Sequence, residues 1–167
     1  MRIEWVHGLE GSPNGKKITA IRNAGHVVDA DDYNGLSLLE RVTRLEQRTA
    51  DGERRLLCGS SYGGLTAAIV ARRYPERFVG LLLCAPALAF EEPPVDDIRD
   101  HVAPEGVPTI VLHSPSDDIC PIRASEDYVA RSGDHVELVT VDDQHNLEGS
   151  LPEVVAAVER LLARVEA

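Results

Sequence analysis

Short apolar runs alternate along this chain with longer stretches whose apolar residues recur at helical spacing. The short runs predict six strands, at Arg2–Val6, His26–Asp29, Arg55–Cys58, Val79–Ala85, Pro108–His113 and Val136–Val141. Gly80-Leu81-Leu82-Leu83-Cys84 and Thr109-Ile110-Val111-Leu112 are nearly unbroken apolar runs. Such runs suit strands covered on both faces, as in a parallel sheet. Between them lie helical patterns. Leu36–Ala50 carries Leu38, Leu39, Val42 and Leu45 at helical spacing, and Tyr62–Tyr74 is rich in Ala and stops before Pro75. Ile122–Arg131 follows Pro121 and ends at Ser132-Gly133, a sequence suited to a helix end. Leu151, Val154, Val155, Val158, Leu161, Leu162 and Val165 form one stripe, with Pro152 in the first turn. A further helix is expected from about Pro13 to Ala24, weakened by Gly15.

Six strands alternating with helices predict an α/β fold: one three-layer, doubly wound domain over residues 1–167, its six-stranded sheet mostly or wholly parallel. Pro86–Gly106 interrupts the alternation with prolines and an acidic run, and reads as a loop with one short helix. About twenty residues leave no room for a substantial cap. Ligands of such sheets sit beyond the carboxyl ends of the strands.

Composition narrows the function classes. The net charge of −11 argues against nucleic acid and anionic membranes as partners. No segment approaches the roughly 20 apolar residues of a membrane span, and no signal peptide is evident. Three widely spaced cysteines, Cys58, Cys84 and Cys120, form neither a C-x-x-C pair nor a disulfide framework, so a cytoplasmic location is expected. No His-Glu-x-x-His or His/Cys cluster predicts a metal site, and no cofactor is expected.

The chemistry gathers where predicted strands end. After the third strand, Gly59-Ser60-Ser61-Tyr62-Gly63 matches G-x-S-x-G and runs into a helix. A serine on so sharp a strand-to-helix turn is strained, with its hydroxyl pushed clear of the sheet. Ser60 is out of register, because Cys58 stands where the motif needs glycine. The fifth strand leads into Asp117 and Asp118, either of which offers a carboxylate to orient a histidine, with Asp117 preferred. The sixth leads into His145. Serine, acid and histidine thus follow separate strands in the order Ser61, Asp117, His145. After the first strand, the His7-Gly8 turn suits backbone donors for a developing oxyanion, and the N–H groups of Leu9 and Tyr62 are predicted for it. Walls for a substrate are expected from Glu10, Leu36, Pro86, Phe90, Ile122 and Leu147. His7 and His113 read as supports for the loop and the acid, and His26, His101 and His135 as surface residues.

The blocks His7-Gly8-Leu9-Glu10-Gly11-Ser12-Pro13, Gly59–Gly64, His113–Pro121 and Gln144-His145 together resemble the signature blocks of α/β-hydrolases. The His-Gly-x-x-x-Ser-Pro opening and the short chain resemble the small cap-less bacterial esterases of the YqiA type. The resemblance implies a parallel core without the superfamily's first two strands. It also implies a serine hydrolase acting on small acyl esters through Ser61, His145 and Asp117. Thioesterase or peptidase activity with the same residues, or a binding module with little turnover, is the alternative. Two departures from the family blocks are Ser114, where glycine is usual, and Cys120, where valine is common.

Overall fold

The computed structural model describes residues 1–167. Its six strands are β1 (Ile3–Val6), β2 (Val28–Ala30), β3 (Arg55–Ser60), β4 (Phe78–Cys84), β5 (Thr109–His113) and β6 (Val136–Thr140). The helices are α1 (Lys16–Asn23), α2 (Leu38–Arg48), α3 (Tyr62–Arg73), α4 (Ile122–Ser132) and α5 (Leu151–Glu166). The sheet order is β2-β1-β3-β4-β5-β6, and every pairing is parallel.

Alternation along the strands sends side chains into two cores. Val6, Leu57, Leu81, Leu83 and Val111 pack with α2, α3 and α4 on one face. Ile3, Trp5, Leu56, Cys58, Leu82, Ile110 and Leu112 pack with α1 and α5 on the other. The central strand β4 is buried at all seven positions, as its continuous apolar run requires. Edge strand β6 is buried only at Val136.

Several element limits differ from the sequence reading. Helix α2 begins at Leu38 rather than Leu36, because Ser37 caps it: the Ser37 hydroxyl accepts from Glu40 N–H while the Glu40 carboxylate accepts from Ser37 N–H. Its buried stripe is Leu38, Arg41, Val42 and Leu45, and Leu39 faces outward, 51% exposed. Strand β2 starts two residues late, at Val28, since His26 N–H is drawn to Ile21 C=O at the end of α1. The 86–106 segment holds a single 3-10 turn, Ile98–Asp100. His101, expected at the surface, is 8% exposed because residues 98–101 fold against α4, where Arg131 holds the Ile98 and His101 carbonyls. No helix is long and apolar enough to cross a membrane.

Candidate active site

The chain runs from β1 out to edge strand β2 and returns to β3 on the other side of β1. The crevice above β1 and β3 is therefore the switch point where doubly wound sheets place their ligands. Ser61 stands there, one residue beyond β3. Its backbone has φ 55°, a left-handed value that costs a non-glycine residue on the order of 1 kcal/mol or more. The turn is held by Ser61 N–H donating to Cys84 C=O at 2.9 Å and Ala87 N–H donating to Ser61 C=O at 3.0 Å.

The neighbouring glycines are demanded by contact. A Cβ on Gly59 would lie 2.4 Å from Gly63 O, and one on Gly63 only 2.1 Å from Val6 O. Helix α3 thus starts pressed against the end of β1, which brings the His7-Gly8 turn over the serine. A Cβ on Gly8 would stand 3.3 Å from Ser61 Cβ.

His145 reaches in from the loop after β6. Its Nε2 is 2.9 Å from Ser61 Oγ, and its Nδ1 is 2.7 Å from Asp117 Oδ2. A carboxylate facing Nδ1 keeps the proton on that nitrogen, so in the neutral ring the Nε2 lone pair faces the serine hydroxyl. Asp117 has a fully buried side chain. Its Oδ1 accepts from the N–H groups of Ile119 and Cys120 at 2.9 and 2.8 Å. Burial pushes the Asp117 carboxyl up, but hydrogen bonds from His145 and from the Cys120 and Ile119 backbone outweigh it and hold the acid below the ordinary carboxylate range. Asp118 is exposed and stands outside this network.

A second histidine supports the acid. His113 Nε2 lies 3.0 Å from Asp117 Oδ2 and 2.9 Å from Cys120 C=O, while its Nδ1 lies 2.7 Å from Ser125 Oγ. With two acceptors at Nε2, that nitrogen carries the hydrogen and the Ser125 hydroxyl donates to Nδ1. Burial lowers the His113 pKa, which keeps the ring neutral. Ser114 explains its departure from glycine: it is buried, and its hydroxyl donates to Asp143 C=O at 2.6 Å, tying β5 to the loop that carries His145. Ser150 Oγ on Asp143 Oδ2 and Lys17 Nζ on Asn146 C=O fix the same loop further along.

The predicted walls divide. Leu36 and Ile122 are half-buried near the strand ends, Glu10 and Phe90 are exposed, and Phe90 packs edge-on to the Tyr62 ring. Leu9 is 59% exposed. Pro86 is buried, packed where a Gly64 Cβ would come within 3.0 Å of it. Leu147 is a correction. It is fully buried in the core on the α1 and α5 face, turned under the sheet by a backbone with φ 54°. It does not line the crevice.

Two residues near the site escaped the sequence reading. Arg41, fully buried in α2, donates to His7 C=O at 2.7 Å and Gly8 C=O at 3.3 Å. Glu92 accepts from Tyr62 Oη at 2.7 Å and Leu38 N–H at 2.8 Å, strapping the 86–106 loop across α2 and α3. Arg41 was detectable as a position three residues after Leu38 on the apolar stripe. Glu92 carried no local signal. Among the cysteines, burial raises Cys58 well above its ordinary value and Cys84 to about 12, and burial with the Asp117 charge raises Cys120 to about 11. None is poised as a thiolate. No group of three or more His, Cys, Asp or Glu side chains is arranged to hold a metal ion.

A family model described as serine aminopeptidase, S33, matches residues 19–104, just over half of the chain. The chain belongs to this family. Solved structures place the S33-family chain among α/β-hydrolases in fold. A hydrolase of the alpha/beta superfamily from Xanthomonas campestris pv. campestris shares 23% identity over 98% of each chain, with a TM-score of 0.79. A monoacylglycerol lipase from Paleococcus ferrophilus shares 19% over 97% of this chain and 94% of its own, with a TM-score of 0.81. Est1E from Butyrivibrio proteoclasticus, solved with ferulic acid bound, shares 18% over 99% and 90%, with a TM-score of 0.81. At these identities the likeness is one of fold. No curated protein matches the sequence.

Proposed function

We propose that the protein is a serine hydrolase cleaving small acyl esters. The reading rests on one observation: the ring of His145 spans Ser61 Oγ at 2.9 Å and Asp117 Oδ2 at 2.7 Å. His145 Nε2 takes the hydroxyl proton as Ser61 Oγ attacks the ester carbonyl. Asp117 holds the tautomer and stabilises the imidazolium. The oxyanion is met by Leu9 N–H and by Tyr62 N–H, the latter in the first turn of α3, where helix N–H groups lack intrahelical acceptors. His145 then protonates the leaving alcohol. Water, deprotonated by the same imidazole, releases the acid from the acyl-enzyme. None of these steps needs a cofactor.

The rim residues Leu9, Phe90 and Ile119 are all exposed, which suits small or tethered acyl groups. The name of the monoacylglycerol lipase supports ester over amide chemistry. The family's description favours a second reading, aminopeptidase activity with the same three side chains. The test is hydrolysis of p-nitrophenyl acetate and butyrate beside aminoacyl p-nitroanilides, with fluorophosphonate labelling. Wild type hydrolyses the esters and takes the label, and Ser61→Ala does neither. Labelling retained in Ser61→Ala removes Ser61 from the mechanism, and preference for the anilides replaces the ester reading.

A further inference from the structure

Arg41 is a fully buried cation whose guanidinium hydrogen bonds go to two backbone carbonyls, not to a carboxylate. Its flat face lies over the rings of Tyr62, 4.7 Å from the centroid, and Tyr33, 5.6 Å away. Desolvating such a charge is costly, and an apolar residue would fill this stripe of α2 without that penalty. The carbonyls it holds belong to His7 and Gly8, the turn lying over Ser61.

Peptide geometry gives the contact its meaning. In a trans peptide the C=O and the following N–H point in opposite directions, and the only cis bond in this chain is Pro93-Pro94. Fixing Gly8 C=O therefore fixes Leu9 N–H, facing the other way. Gly8 C=O accepts from three donors: His7 Nδ1 at 2.6 Å, Gly11 N–H at 3.2 Å and Arg41 at 3.3 Å. The His7 proton is itself assigned by the fold. Its Nε2 accepts from Tyr33 N–H at 2.9 Å, so the hydrogen resides on Nδ1.

Resting on the serine-hydrolase reading, we infer that Arg41 is a positioning residue for the oxyanion site. From inside α2 it pins the His7 and Gly8 carbonyls, aims the Leu9 N–H group toward Ser61, and polarises both peptides with its charge. His7 is its partner in the same task. Ground-state binding of an ester gains little from this arrangement, whereas the charged tetrahedral state gains most, so the effect belongs in kcat.

Wild type, Arg41→Met and Arg41→Lys are compared for p-nitrophenyl butyrate turnover, inhibition by a trifluoromethyl ketone that forms a tetrahedral serine adduct, and hydrogen exchange in the 7–12 turn. Arg41→Met is expected to lose about 10²-fold in kcat with KM little changed, the effect of misplacing one donor. The ketone inhibition constant should rise in proportion, and exchange in the turn should quicken. Arg41→Lys, which retains the charge but lacks the planar fork that reaches both carbonyls, recovers part of the loss. Folded Arg41→Met with kcat within threefold of wild type, or a loss carried by KM alone, overturns the inference. If Arg41→Met fails to fold, Arg41→Lys decides: unchanged kcat and ketone inhibition overturn it. Wild type that neither turns over an ester nor takes fluorophosphonate at Ser61 sinks the serine-hydrolase reading instead. Exchange in the turn then judges the pinning alone.

Discussion

His113 and His145 aim ring nitrogens at one atom, Asp117 Oδ2, from 3.0 and 2.7 Å. With two backbone N–H groups on Oδ1, the carboxylate receives four hydrogen bonds. Both the placement of its charge and the orientation of the imidazole beside Ser61 follow from that set. Replacing His113 by Leu removes one donor from Oδ2 and leaves the Ser125 hydroxyl and Cys120 carbonyl without their partner. A stability loss of about 1–3 kcal/mol is expected in thermal unfolding. Turnover should fall well short of the loss from Asp117 substitution, since His145 keeps its own bond to the acid.

The two adjacent acids should separate cleanly. Asp117→Asn is expected to lower kcat by about 10³–10⁴-fold, because an amide nitrogen facing Nδ1 stabilises the wrong tautomer. Asp118→Asn, at an exposed position outside the network, should stay within about twofold. Ester hydrolysis by the two variants side by side checks this, and the reverse order would move the acid's role to Asp118.

The strained backbone at Ser61 predicts an uncommon stability ranking. Ser61→Ala keeps φ 55° on a residue with a Cβ, whereas Ser61→Gly relieves it. The glycine variant should be the more stable of the two by about 1 kcal/mol in urea unfolding, though neither hydrolyses esters. Equal stabilities would mean the turn relaxes when the hydroxyl is lost.

Acid should weaken the fold in two stages. His113 and His101 are both lowered, first by burial, so the unfolded chain binds more protons than the folded one below the ordinary histidine range. Their contribution is complete above about pH 6.5 and is lost as the pH falls through the lowered folded values. Asp117, also lowered, contributes above about pH 4 and is lost further down. Thermal midpoints from pH 8 to 3 should show both stages. Asp117→Asn reduces the lower one, which Asp32, Asp51, Asp97 and Asp143 share because they too are lowered, and His113→Gln reduces the upper.

Much of this was readable from local pattern. Strands β4 and β5 announced themselves because a strand covered on both faces must be apolar throughout, and the Gly59–Gly63 block because its glycines answer to contacts within one turn. Arg41's place on the apolar stripe of α2 was legible, but its role was not. Its partners, the His7 and Gly8 carbonyls, come from another element. Leu147 misled because an apolar residue in a polar loop looks like a wall, whereas a left-handed turn swings it into the core. Ser37-x-x-Glu40 did carry its helix start in the sequence, and the Leu36 limit passed over it.

Strand β4 lies between β3, which delivers Ser61, and β5, which delivers Asp117, yet contributes no reacting side chain. Neighbouring strands stand about 4.8 Å apart, so β4 sets a gauge of about 10 Å between nucleophile and acid stems. One imidazole with its two hydrogen bonds fills that gap. The backbone ladders on either side of β4, not the side chains of Leu81, Leu82 and Leu83, hold that distance.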